Sequence, residues 1–137
     1  MKDLGPPLLK VKNTNIVRTD IEIVGARNHK IYCSHYEPLE SERKWNIMPC
    51  VIYCHGNSSS RIEAKELVTY LLPENITLFC FDFPGCGQSE GEYISLGHYE
   101  KDEINVIVDF LRSARKVSTV ALWGRSMGAA TSLLHAN

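Results

Sequence analysis

Three apolar segments constrain this chain most: Cys50-Val51-Ile52-Tyr53-Cys54, Ile76-Thr77-Leu78-Phe79-Cys80-Phe81 and Thr119-Val120-Ala121-Leu122-Trp123. Each is short, continuous and rich in strand formers, as suits a strand buried on both faces. Each is followed by a helical pattern. After the first, Ser60-Arg61-Ile62-Glu63 has capping-box spacing. Ala64, Leu67, Val68, Leu71 and Leu72 then share one helical face, and Pro73-Glu74-Asn75 stops the helix. After the second, a helix is predicted from about Tyr99 to Ala114, with Ile104, Ile107, Val108 and Leu111 as its buried stripe. Glu100, Asp102 and Glu103 at its start and Arg112, Arg115 and Lys116 at its end complement the helix dipole. After the third, Ala129-Ala130-Thr131-Ser132-Leu133-Leu134 begins another helix. Such alternation implies an α/β architecture, a parallel sheet covered by helices on both faces.

Upstream, Asn15 to Val24 and Lys30 to Tyr36 alternate in hydrophobicity around the turn Gly25-Ala26-Arg27-Asn28. They read as an antiparallel hairpin. Residues 1–14 contain two prolines and no clear period, and are expected to be an irregular lead-in to a single domain over 15–137. Glu37 to Pro49 reads as a charged loop.

Ligands of such sheets bind at the carboxyl ends of the strands. Three loops stand there. The first is Tyr53-Cys54-His55-Gly56-Asn57 and the second is Asp82-x-x-Gly85-x-Gly87-x-Ser89. The third, Gly124-Arg125-Ser126-Met127-Gly128, fits the G-x-S-x-G pattern of a nucleophile elbow at a strand-to-helix turn. Glycines on either side of the serine let backbone approach closely, and the helix N-terminus aims N–H groups at any oxyanion formed beside it.

Together these motifs resemble the α/β-hydrolase superfamily, in particular its serine aminopeptidase-like branch and the acyl-protein thioesterase and monoacylglycerol-lipase relatives. The resemblance runs from about Asn15 to Asn137. It implies a three-layer sandwich, mostly parallel with an N-terminal antiparallel hairpin, that ends here at the nucleophile helix. It implies Ser126 as nucleophile, with the backbone N–H groups of Met127 and Asn57 as oxyanion donors. Gly56, Gly124 and Gly128 shape the turns on this reading. His55 and Asp82 become supporting residues, and Gly85 and Gly87 let the second loop turn. The reaction would pass through an acyl-enzyme on an ester, thioester or amide, with no cofactor.

In that superfamily the triad runs Ser, then Asp or Glu, then His. Met127 to Asn137 contains no acid, and its one histidine, His135, lies about 13 Å along a helix from Ser126. The acid and base are therefore expected beyond Asn137. Three accounts fit: a piece of a longer enzyme, a natural short form, or a site completed by another chain. A non-catalytic, hydrolase-like binding protein is the alternative function. A nucleotide-binding module is a poorer fit, because Glu90 stands where the third glycine of a dinucleotide fingerprint belongs.

Composition removes other classes. Net charge is -1, so no basic excess points to nucleic acid or to an anionic membrane surface. Met1 to Pro7 lacks a signal-peptide core, and no apolar run approaches a bilayer span. Five cysteines, Cys33, Cys50, Cys54, Cys80 and Cys86, suggest reduced thiols and a cytoplasmic setting. Cys50 and Cys54 would be about 13 Å apart on a strand, too far to share a metal. The remaining partner class is a small-molecule or acyl substrate.

The 137-residue chain by itself should hydrolyse activated esters poorly or not at all. Robust turnover that disappears in Ser126→Ala would overturn that expectation.

Overall fold

The computed structural model describes residues 4–56, 59–90 and 100–136. Leu8–Val11 forms a strand, β1, paired antiparallel with β2 (Thr14–Val24). The lead-in is therefore not irregular throughout, contrary to expectation. Lys12 and Asn13 connect the two strands, with φ of 48° and 68°. Positive φ at both central positions is the two-residue hairpin turn that matches strand twist. That turn usually announces itself with glycine, and the Lys-Asn pair gives no such signal.

β2 then pairs antiparallel with β3 (Lys30–Pro38), in the register Ile16↔Pro38 to Val24↔Lys30. β3 reaches two residues further than the alternation indicates. Three more strands follow: β4 (Met48–Cys54), β5 (Thr77–Phe81) and β6 (Val117–Gly124). All six form one mixed sheet in the order β1-β2-β3-β5-β4-β6. β5 is antiparallel to β3, whereas β4 is parallel to both β5 and β6.

Period-two alternation divides the strand side chains between two cores. Ile31, Cys33, Cys50, Ile52, Cys54, Phe79 and Phe81 point to one face, against Ile104, Ile107 and Leu111 of α2 (Glu100–Ala114) and Met127 of α3 (Met127–Ala136). Tyr36, Val51, Tyr53, Leu78 and Cys80 point to the other, against Val68 of α1 (Lys65–Leu71) and its neighbours Ala64 and Leu72. Two helical layers thus sandwich the sheet. Short 3-10 turns flank α1, and Asn75 closes the second of them in the left-handed conformation at φ 64°. Tyr99, where the sequence pattern begins the second helix, lies outside the described residues.

The acidic start of α2 does more than complement a dipole. Residues 100, 103, 104, 107 and 111 share a helical face, so Glu100 and Glu103 are buried. Both Glu103 carboxylate oxygens accept from the Ala26 N–H at 3.1 Å, tying α2 to the β2–β3 turn. Gly25 leaves room for this carboxylate: a Cβ there would stand 2.0 Å from Oε2.

β6 is the outermost strand on its side of the sheet, and Trp123 on it is 48% exposed. Among the described residues, no helix is long and apolar enough to cross a membrane. All five cysteines are unpaired and buried. Burial pushes the Cys50 thiol up to about 12 and those of Cys54 and Cys86 to about 11.

On β3, an interior strand of the sheet, His35 is fully buried. Its Nδ1 accepts from Arg115 Nε at 3.2 Å, and Glu37 receives Arg115 at 2.5 Å and Arg43 at 2.9 Å. Burial, then the charges of Arg115 and Arg43, press the His35 pKa from 6.5 to about 3. The fold holds this imidazole neutral, whereas the unfolded chain protonates it. Its stabilising effect is therefore complete above about 6.5 and lost as pH falls toward 3. His35→Gln, which cannot take up that proton, should lose less stability than the parent between about pH 6.5 and about pH 4. Urea unfolding at each pH measures this, and identical pH slopes would contradict it.

Candidate active site

β6 ends at Gly124, and Arg125 and Ser126 turn the chain into α3. The Arg125 N–H donates to the Cys54 carbonyl at 3.1 Å, Gly128 to Arg125 at 2.9 Å, and Ala130 to Ser126 at 3.1 Å. Ser126 adopts φ 55°, a conformation that costs a non-glycine residue about 1–3 kcal/mol. The turn leaves no space for side chains on its glycines. A Cβ on Gly124 would stand 2.4 Å from the Gly128 carbonyl, and one on Gly128 would stand 1.8 Å from the Cys54 oxygen. Backbone packed on backbone thus presses the elbow against the end of β4.

Ser126 itself is exposed, and among the described residues its hydroxyl has no hydrogen-bond partner. Met127 is the first residue of α3, so its N–H has no acceptor within the helix. His135 lies in the last turn of the same helix.

The loop after β4 stands directly beside the elbow. A Cβ built on Gly56 would be 3.7 Å from Ser126 Cβ. His55 is fully buried and both of its ring nitrogens are engaged. Its Nδ1 lies 2.7 Å from the Gly56 carbonyl, and its Nε2 accepts the Phe83 N–H at 3.0 Å. That network assigns the proton to Nδ1. Burial lowers the His55 pKa, against the opposing pull of the Gly56 carbonyl and of Asp82. A neutral imidazole with both nitrogens occupied joins two loops and has no free position from which to act as base. Asn57, expected as an oxyanion donor, lies outside the described residues.

Asp82 is fully buried at the end of β5. Its carboxylate accepts the Arg61 N–H at 2.7 Å, the Gln88 N–H at 2.9 Å and the Arg61 guanidinium. The guanidinium also donates to Ser34 Oγ at 3.0 Å and Gln88 Oε1 at 3.1 Å. Gly87 turns at φ 51°, where a Cβ would stand 2.4 Å from the Asp82 carboxylate. Ser89 Oγ donates to the Asp82 carbonyl at 2.6 Å and accepts from the Tyr32 N–H at 2.9 Å. The second loop is thereby laced to β3 and to the first loop.

Two residues of this site were not singled out from sequence. Arg61 and Glu63 read as members of a capping box, and Ser60 does accept from a helical N–H, that of Ile62 at 3.4 Å. Arg61 is nevertheless the buried counter-ion of Asp82, and Glu63 binds Gly56. A carboxylate at the end of an apolar strand requires a cation, and Arg61 is the basic residue on the adjoining loop. That requirement was the available signal. Among the described residues no group of three or more metal-ligating side chains comes together.

Removing one member of a buried pair leaves the other charge uncompensated. Asp82→Ala should therefore cost about 3–5 kcal/mol of stability, measured by urea unfolding. Glu40→Ala, which removes an exposed 3.8 Å contact to Lys116, should cost under about 1 kcal/mol. Equal losses in the two variants would refute this ranking.

The alpha/beta hydrolase fold family model matches residues 49–136. Among curated proteins, the uncharacterized protein YqkD of Bacillus subtilis is 32% identical over 87 residues, which cover 63% of this chain and 28% of that protein. The uncharacterized protein YfhR of Escherichia coli is 30% identical over 88 residues, covering 64% and 31%. Among solved structures, the Pyrococcus furiosus esterase Pf2001 superposes with a TM-score of 0.73 at 27% identity, over 85% of this chain and 45% of that one. XC6422 of Xanthomonas campestris, described as an a/b serine hydrolase without lid, has a TM-score of 0.71 at 23% identity over 87% and 55%, a likeness of fold. The chain spans about a third of the length of the curated relatives it matches and under half that of the esterase. By the family match over most of its length and by its sheet order, this chain belongs to the α/β-hydrolase fold family.

Proposed function

We propose that this chain carries the nucleophile and oxyanion half of a serine hydrolase that cleaves a carboxylic ester, thioester or amide. The observation that carries this reading is Ser126, exposed at φ 55° on a turn too tight for any residue but glycine at 124 and 128. A residue is held in that conformation only where its surroundings over-determine it, as functional sites do. The esterase neighbour at 27% identity supports the same chemistry.

On this reading the Ser126 hydroxyl attacks the substrate carbonyl. The proton passes to a histidine beyond Asn137, oriented by an acid that also lies there. The developing oxyanion receives the N–H of Met127 and that of Asn57, each donor lowering the barrier by about 3 kcal/mol. Gly56 gives its own N–H to Glu63, which favours the following residue as the second donor. The leaving alcohol, thiol or amine takes the proton from the histidine, and water then releases the free acid. Five unpaired, buried cysteines favour a reducing compartment such as the cytosol.

A fluorophosphonate probe tests this on the polypeptide at its natural full length. Labelling should map to Ser126 and be lost in Ser126→Ala, together with about a thousand-fold or greater fall in ester turnover. An unlabelled Ser126 in well-folded protein would instead support a hydrolase-like binding protein.

A further inference from the structure

Glu63 has a role that a capping residue does not explain. Its carboxylate reaches seven residues back and accepts the Gly56 N–H at 3.1 and 3.3 Å. It also accepts the hydroxyl of Tyr53, the last residue but one of β4, at 2.7 Å. The Ser59 side chain is a further partner. The other side of the Gly56 residue is held too. Its carbonyl faces His55 Nδ1 at 2.7 Å and accepts the Ser59 N–H at 3.3 Å. Gly56 therefore has both of its polar backbone groups pinned. It sits between Glu63 and the elbow: a Cβ placed on it would be 3.4 Å from Glu63 Oε2 and 3.7 Å from Ser126 Cβ.

We propose that Glu63 is a positioning residue for acylation, holding Gly56 in register with Ser126. The proposal rests on the serine hydrolase reading above. On this proposal Glu63 acts through Gly56. Its reach matters more than its charge, because the contact that counts is to one backbone N–H. Burial alone would raise its pKa. The hydrogen bonds from Ser59, Tyr53 and Gly56 outweigh that and hold the group below its ordinary value. It is therefore ionised at neutral pH. A loop allowed to drift by about 1 Å at such a site can lose up to 100-fold in rate.

The test uses the natural full-length protein with Glu63→Gln, Glu63→Asp and Glu63→Ala. Active sites are counted by fluorophosphonate titration, so that kcat is expressed per reactive Ser126. Gln keeps the length of the side chain and one acceptor, and should stay within about 3-fold of the parent. Asp keeps the charge but is one methylene short of Gly56, and should lose about 10- to 100-fold in kcat with KM within about 2-fold. Ala should resemble Asp. If Ala does not fold, the Gln and Asp pair decides. Asp equal to or better than Gln, or all variants equal to the parent per titrated site, overturns the proposal. A role confined to stability would lower the melting temperature and the number of titrated sites while leaving kcat per site unchanged, which also overturns it. A parent protein that takes up no probe sinks the hydrolase reading and the positioning role together, whereas a reactive parent with unaffected variants sinks the positioning role alone.

Discussion

The buried ion pair between Asp82 and Arg61 is the contact on which the geometry of this site depends. Charges of opposite sign without access to water are stable only when their remaining hydrogen-bonding capacity is met. Here it is met by groups from three different segments: Ser34 on β3, the Arg61 N–H ahead of α1, and Gln88 in the loop after β5. The pair therefore fixes two site loops and a strand relative to one another. His55 extends the same scheme by receiving Phe83, the residue after Asp82, and placing its other nitrogen on the Gly56 carbonyl. The elbow at Ser126 then docks on a surface already determined, the carbonyl end of β4.

Much of this was legible in the sequence because its periodicities are clean. The three apolar segments become β4, β5 and β6, and alternation around Gly25 becomes the β2–β3 hairpin. Strand-end placement brings the loops at His55, Asp82 and Ser126 together, as the topology of such sheets requires. What escaped was the part encoded by turn geometry and by long-range polar contact. β1 has four residues and a turn lacking glycine, so neither length nor turn chemistry marked it. Glu63, Arg61 and Glu103 each have a local helical explanation at sequence level. Their actual partners lie 7, 21 and 77 residues away. Local pattern describes propensity, and a charged side chain in a folded chain goes where its burial is compensated.

The two kinds of histidine in the fold illustrate how environment decides chemistry. His35 and His55 are both fully buried and both held neutral. His35 answers to two arginines in a structural network, whereas His55 stands within one residue of the site and is fully occupied by backbone partners. Proximity to a nucleophile does not make a base. A base needs a nitrogen with a lone pair directed at the hydroxyl, and the His55 lone pair is committed to Phe83.

The five buried thiols carry a consequence for how this protein ages. In the folded chain burial disfavours the thiolate, the reactive form, so oxidants and disulfides find little to attack. Each global opening removes that protection at once and returns all five to ordinary reactivity. Covalent damage is thus gated by unfolding, and the working lifetime of the protein outside a reducing environment is set by the rate at which the sheet opens.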